Sequence, residues 1–221
     1  MICSKYADET MGKILNIDCL EHMRKIPDNY YDLILTDPPY GIGIDGQKES
    51  INQNNPKASR KKHDFKGWDN ETPPKEYFDE IYRISKHQII WGANYFVNKL
   101  QGDTKGWIVW DKGQRGLTMS DCELCFTSFQ KATRIVTFNR VEIQCDGSVH
   151  PTQKPEKLFE YCLRFAMEHA DIKNVFDPFF GSGTTGVIAK RLNIDWCGTE
   201  LDPDYVAIAN KRLEAVQGSL F

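Results

Sequence analysis

Four consecutive residues, Asp37-Pro38-Pro39-Tyr40, have the types and order to do chemistry on a planar amine. Proline lacks an N–H but keeps its carbonyl, and Pro39 pushes the residue before it into an extended conformation. The Pro38 carbonyl is therefore free and fixed in direction. Beside the Asp37 carboxylate it makes a pair of acceptors suited to the two protons of an exocyclic NH2 group. The lone pair of such an amine is delocalised into its ring. Two hydrogen bonds return electron density to nitrogen as an electrophile approaches, which is preorganised electrostatics combined with positioning. Tyr40 offers a flat face to the ring. Taken alone the tetrad also reads as an ordinary turn, since Pro73-Pro74 pairs prolines without these neighbours.

A second cluster, Gly181-Ser182-Gly183-Thr184-Thr185-Gly186, is a G-x-G-x-x-G run after a strand-like segment, and Glu200 ends the next such segment. Glycines let a backbone approach a ligand closely, and an acid after the following strand can grip ribose hydroxyls. A nicotinamide dinucleotide is one reading. Against it, the loop lies near the C-terminus and Asp177 stands immediately before it. A carboxylate there repels a pyrophosphate and attracts an ammonium group. S-adenosylmethionine, with adenosine, an ammonium and a sulfonium but no phosphates, matches better.

These residues need strands to present them. Compact β-rich runs over 13–17, 32–36, 88–91, 107–110, 123–129, 133–138, 174–176 and 196–199 read as strands, with 123–129 and 133–138 forming a hairpin. Helical patterns span 19–25, 74–84, 93–100, 156–169, the segment ending at 192, and a last helix that Asp202 can cap. The first dozen residues carry little pattern. Alternating strands and helices predict a doubly wound α/β sheet.

The 221 residues are 40% hydrophobic, enough for one domain over 1–221. The net charge of −3 does not mark a nucleic-acid binder, so distribution matters more than total. Seven irregularly spaced cysteines suit free thiols in a reducing compartment. With no signal pattern and no membrane-length apolar run, the expectation is a soluble protein of a prokaryotic or phage-infected cytoplasm. Cys122-Glu-Leu-Cys125 has zinc-ligand spacing, but one pair is half a site, and no metal is expected. His22, His63, His87 and His169 show no partners and read as surface or capping residues. The tryptophans at 91, 107, 110 and 196 read as core.

In combination, the ordered motifs resemble the DNA amino-methyltransferases that act on N4 of cytosine or N6 of adenine, in the order of the β class. The resemblance runs from Asn16-Ile-Asp18-Cys-Leu20 through Asp37-Pro-Pro-Tyr40 and His150-Pro-Thr-Gln-Lys-Pro155 to Asp177-Pro-Phe-Phe-Gly-Ser-Gly-Thr-Thr185 and Glu200. It implies a Rossmann-like, mostly parallel seven-stranded sheet with one reversed strand, plus a small recognition insertion at about 112–149. It implies S-adenosylmethionine as cofactor. Asp18 would accept from its adenine amine. Thr152, Gln153 and Lys154 would lie near its carboxylate. Phe179, Gly181, Ser182, Gly183 and Thr184 would line it, and Glu200 would hold its ribose. Asp37, Pro38, Pro39 and Tyr40 would be the catalytic corner. Asp in place of the Ser more common among N4-cytosine members points to adenine. A base inside a duplex is out of reach, so base flipping is implied.

The expected partner is double-stranded DNA. Between 47 and 67, six basic residues, among them Lys57, Arg60, Lys61, Lys62 and Lys66, face two acids in a polar loop beside the corner. Phosphate contact fits there, as does a merely solvated loop. Lys112, Arg115, Lys131, Arg134 and Arg140 form a second basic group, interleaved with acids. The short recognition segment suits a short target site or help from a second copy in a homodimer. N4-cytosine, RNA or a protein amide as substrate, an NAD-dependent oxidoreductase, and a non-catalytic binding subunit are the alternatives.

Overall fold

Tyr31–Thr36 (β2) is buried at every position, and the rest of the sheet is built outward from it. The structure is a computed structural model that describes residues 2–43, 69–116, 120–138 and 154–216. Eight strands form one sheet: β1 (Ile14–Leu15), β2, β3 (Ser85–Trp91), β4 (Trp107–Asp111), β5 (Cys122–Thr127), β6 (Arg134–Thr137), β7 (Asn174–Asp177) and β8 (Asp195–Thr199), in the order β1-β8-β7-β2-β3-β5-β4-β6. β2 pairs in parallel with β3 and with β7. β5 alone runs against both neighbours. The mostly parallel sheet with one reversed strand is as expected, and the described residues form eight strands rather than seven. The weakest strand is β1, two residues that pair with the β8 edge.

Neighbouring residues of the central strands face opposite cores, as the pleat requires. Leu33, Leu35, Ile89, Trp91 and Val175 pack with α4 (Glu156–His169), α5 (Thr184–Arg191) and α6 (Pro203–Ala215). Ile34, Ile90 and Phe176 pack on the other face with α2 (Cys19–Met23) and α3 (Lys75–Ile84). Because both faces are covered, these strands read as unbroken apolar runs. All four tryptophans expected in the core are there or packed against it.

Three expectations are corrected. Segments β5 and β6 are not a hairpin: β4 lies between them, antiparallel to β5 and parallel to β6. After β5 the chain crosses the start of β4, where the Thr127 hydroxyl donates to the Gly106 carbonyl and the Thr133 hydroxyl to that of Lys105. The 93–100 segment forms two short 3-10 turns, Ala93–Tyr95 and Val97–Lys99, instead of a helix. The N-terminal stretch is a helix, Ile2–Thr10 (α1), docked through Ala7 and through His22, which is fully buried rather than on the surface. Among the described residues no helix is long and apolar enough to cross a membrane.

Candidate active site

The sheet changes its winding direction between β2 and β7. From β2 the chain moves to β3 on one side, and from β7 it moves to β8 on the other. Ligands of open α/β sheets bind outside the strand C-termini at such a point. Here the two motifs meet. Asp37 follows the last residue of β2, Asp177 is the last residue of β7, and the Thr36 hydroxyl donates to Asp177 Oδ1 at 2.7 Å. A cavity of about 560 Å³ opens beside them. Its lining includes Asp18, Asp37, Pro39, Tyr77, Lys154, Asp177, Phe179, Gly181, Ser182, Thr184 and Glu200.

One end of the cavity is carboxylate-rich and aromatic. Asp18 caps α2, accepting from the Leu20 N–H at 2.7 Å. Tyr77 of α3 donates its hydroxyl to Asp18 Oδ2 at 3.0 Å and stacks on Phe179. Glu200 accepts from the N–H groups of Gly181 and Asp202, both at 2.8 Å, so the acid and the glycine loop hold each other in place. Burial pushes the Glu200 carboxyl above the usual range. The glycines divide their roles. A Cβ on Gly181 would meet nothing within 4 Å, whereas one on Gly183 would come within 2.9 Å of Ala209 on α6. Gly183 serves helix packing and is not in the lining. Arg212 of α6 braces the loop by donating to the Ser182 carbonyl and to Glu156.

Asp177 is fully enclosed. It accepts from the hydroxyls of Thr36 and Thr185 and from the Phe179 N–H. Burial raises its pKa to about 7 against the pull of these donors.

The other end is the Asp-Pro-Pro-Tyr corner. Asp37 and Pro39 line the cavity, and Pro38 and Tyr40 are their immediate neighbours in the corner. Asp69, 1% exposed, accepts from the N–H groups of Tyr40 and Gly41 at 2.8 Å each, and this fixes the backbone of the corner. The Tyr40 hydroxyl donates to Asp37 Oδ1 at 2.5 Å, and its ring stacks on Tyr95 with centroids 4.7 Å apart. Lys154 reaches in from the segment before α4, with its ammonium 2.6 Å from Asp37 Oδ2 and 3.1 Å from Glu123 Oε2. The charge expected to face a ligand carboxylate is thus shared by two protein carboxylates. Burial pushes Asp37 upward; Lys154 counters and Glu123 adds to it, leaving the group above the ordinary aspartate range.

Several site residues carried no readable signal in the sequence. Tyr77, Asp69 and Glu123 sit in ordinary helix, loop and strand contexts, and only the fold brings them to the corner. Lys112, read as a member of the second basic group, is 9% exposed and paired with Glu123 at 2.7 Å. Arg115 is exposed and bidentate to Asp111. Thr152, Gln153, Lys57, Arg60, Lys61, Lys62 and Lys66 lie outside the described residues. Among the described residues no cluster could hold a metal ion.

A Rossmann-like, mostly parallel sheet thus carries its glycine loop and acceptor corner on one switch-point cavity. A DNA methylase family model matches residues 107–211. The chain is 27% identical to the type II methyltransferase M.HinfI of Haemophilus influenzae, over 95% of this chain and 70% of that one. The solved structure of M1.HpyAVI in complex with S-adenosylmethionine superposes with a TM-score of 0.54 at 20% identity, covering 91% of this chain and 99% of that one. The cytosine-N4-specific PvuII DNA methyltransferase superposes with a TM-score of 0.60 at 16% identity, covering 96% and 88%. The matched family model and the type II methyltransferase relatives support a likeness to the DNA amino-methyltransferases.

Proposed function

We propose that this protein transfers the methyl group of S-adenosylmethionine to the N6 amine of an adenine flipped out of double-stranded DNA. One observation carries the reading: the glycine loop and the Asp-Pro-Pro-Tyr corner, 141 residues apart or more in sequence, open onto one cavity. The lining chemistry fits the cofactor. Six carboxylates (Asp18, Asp37, Glu71, Asp177, Glu200 and Asp202) against one lysine, itself paired, suit a cationic adenosine ligand and disfavour a pyrophosphate. That supports S-adenosylmethionine over a nicotinamide dinucleotide.

When bound, the cofactor supplies an electrophilic methyl on a positively charged sulfur. The chain does the rest. Tyr77, Phe179 and Asp18 would bracket the adenine end, and Glu200 would hold the ribose. Asp37 and the Pro38 carbonyl accept the two amine protons and aim the nitrogen. Methyl transfer would exchange the carbon–sulfur bond for a carbon–nitrogen bond, and the nitrogen would then give up one proton. Asp37 is the nearest base. Its aspartate identity supports adenine over cytosine, and Lys57, Arg60, Lys61, Lys62 and Lys66 are assigned to phosphate contact on sequence grounds.

The test is incubation with unmethylated genomic DNA and S-adenosylmethionine, followed by nucleoside mass spectrometry. N6-methyldeoxyadenosine is expected, and an Asp37→Ala variant should lose at least about a hundredfold of the rate, as when a transition-state hydrogen-bond partner is deleted. N4-methyldeoxycytidine would replace adenine as the substrate and keep the mechanism. Cofactor binding with no methylated nucleoside would overturn DNA as the substrate.

A further inference from the structure

β5 is the one strand whose N-terminal end reaches the crevice, because it alone is reversed. Its register shows this: Cys125 stands opposite Trp91, the last residue of β3, so Glu123 projects beyond the β3 terminus toward the corner. There it joins a row of alternating charge. Asp37 Oδ2 lies 2.6 Å from the Lys154 ammonium, Lys154 lies 3.1 Å from Glu123 Oε2, and Glu123 Oε1 lies 2.7 Å from the Lys112 ammonium. The four side chains are only 6% to 18% exposed. The third proton of Lys154 meets the Tyr40 hydroxyl at 3.0 Å, so all three donors of the ammonium have acceptors.

We propose that Glu123, held in place by Lys112, is a positioning residue that shares the Lys154 ammonium with Asp37 and so keeps the Asp37 carboxylate a strong acceptor for the target amine. This rests on the reading of Asp37 given above. A carboxylate bound to a buried ammonium on its own gives up much of its accepting power, since charge-assisted bonds are the strong ones and compete with a neutral N–H donor. A second carboxylate on the same ammonium weakens that hold. Lys112 in turn offsets the charge of Glu123, which would otherwise favour protonation of Asp37 across the short gap. Against the upward push of burial, the Lys154 and Lys112 ammonium groups hold the Glu123 carboxyl below the usual range, at about 2. The other titratable groups facing Asp37 are Tyr40, the Cys125 thiol on β5 and Asp177 on β7.

The decisive experiment compares wild type, Glu123→Gln and Glu123→Asp. The Asp37 carboxyl is followed by carbon-13 NMR titration in the ligand-free protein, and kcat and KM are measured on methylatable DNA. In Glu123→Gln the Asp37 midpoint should move down by about one pH unit. Its kcat should fall about tenfold or more, with the KM for S-adenosylmethionine within about twofold. Glu123→Asp, which keeps the charge on a shorter arm, should recover part of both. Lys112→Met, with native circular dichroism as the control for folding, should move the Asp37 midpoint up instead. An unmoved Asp37 midpoint or an unchanged kcat in Glu123→Gln would overturn the proposal. So would equal losses in Glu123→Gln and Glu123→Asp that track lost thermal stability. The titration needs no substrate, so a wild type that methylates no DNA sinks the functional reading while the ligand-free titration still judges the charge row.

Discussion

At Gly92 the chain leaves β3 with φ of 70°, and a Cβ there would run into the ring of Tyr40. The absent side chain is what lets that ring settle between the strand end and Tyr95. Gly92→Ala therefore adds left-handed backbone strain of about 1 kcal/mol and displaces the ring that hydrogen-bonds Asp37. We expect kcat to fall about tenfold while cofactor affinity, set across the cavity, changes little; isothermal titration with S-adenosylmethionine beside steady-state kinetics would check both. An unchanged kcat would mean that the Tyr40 ring position is irrelevant to the reaction. Nothing in the sequence singles out Gly92, because a glycine after a strand is common and its partner lies 52 positions earlier.

The elements were legible where their patterns are local. The apolar runs of β2, β3 and β7 and the Asp18 and Asp202 caps appear as expected. Partner choice was not legible. A short gap between 123–129 and 133–138 suggests a hairpin, but the hydrogen bonds available along β4 decide otherwise. The N-terminal helix was hidden for a similar reason, since its hold on the sheet is tertiary: Ala7 packs in the core, Tyr30 donates to Asp8, and a polar relay runs through His22. The Tyr6 hydroxyl and the Tyr31 hydroxyl flank the two ring nitrogens of His22 at 3.1 and 3.2 Å. Burial lowers the His22 pKa to about 4. The ring is neutral when folded and titrates near 6.5 when unfolded. Its contribution is therefore present above pH 6.5 and is lost as pH falls toward 4. The loss should be roughly 3 kcal/mol between pH 7.5 and 4. Urea unfolding at both pH values should show this difference shrinking in His22→Asn, and an equal acid loss in both proteins would show that His22 is not its source.

Across the whole molecule, stability should follow position in the sheet. β2 is buried throughout and paired on both sides, whereas among the described residues β6 is an edge that pairs with β4 alone and leaves Ile135 71% exposed. Amide hydrogen exchange should be slowest in β2, β3 and β7 and much faster in β6 and β1; protection of β6 equal to that of β2 would contradict this layout. The same arrangement sets the site. Short-range sequence determined the acceptor corner, the glycine loop, the helix caps and the parallel α/β class, because each depends on residue types within a few positions of one another. Tertiary structure alone decided that Lys154 serves Asp37, that Lys112 is buried against Glu123, that Asp69 clamps Tyr40 and that Tyr77 reaches Asp18. Those pairings join residues 11 to 117 positions apart, and no local pattern specifies them. They arise because the sheet brings the ends of β2, β3, β5 and β7 to one crevice, where a charge removed from water must find its opposite.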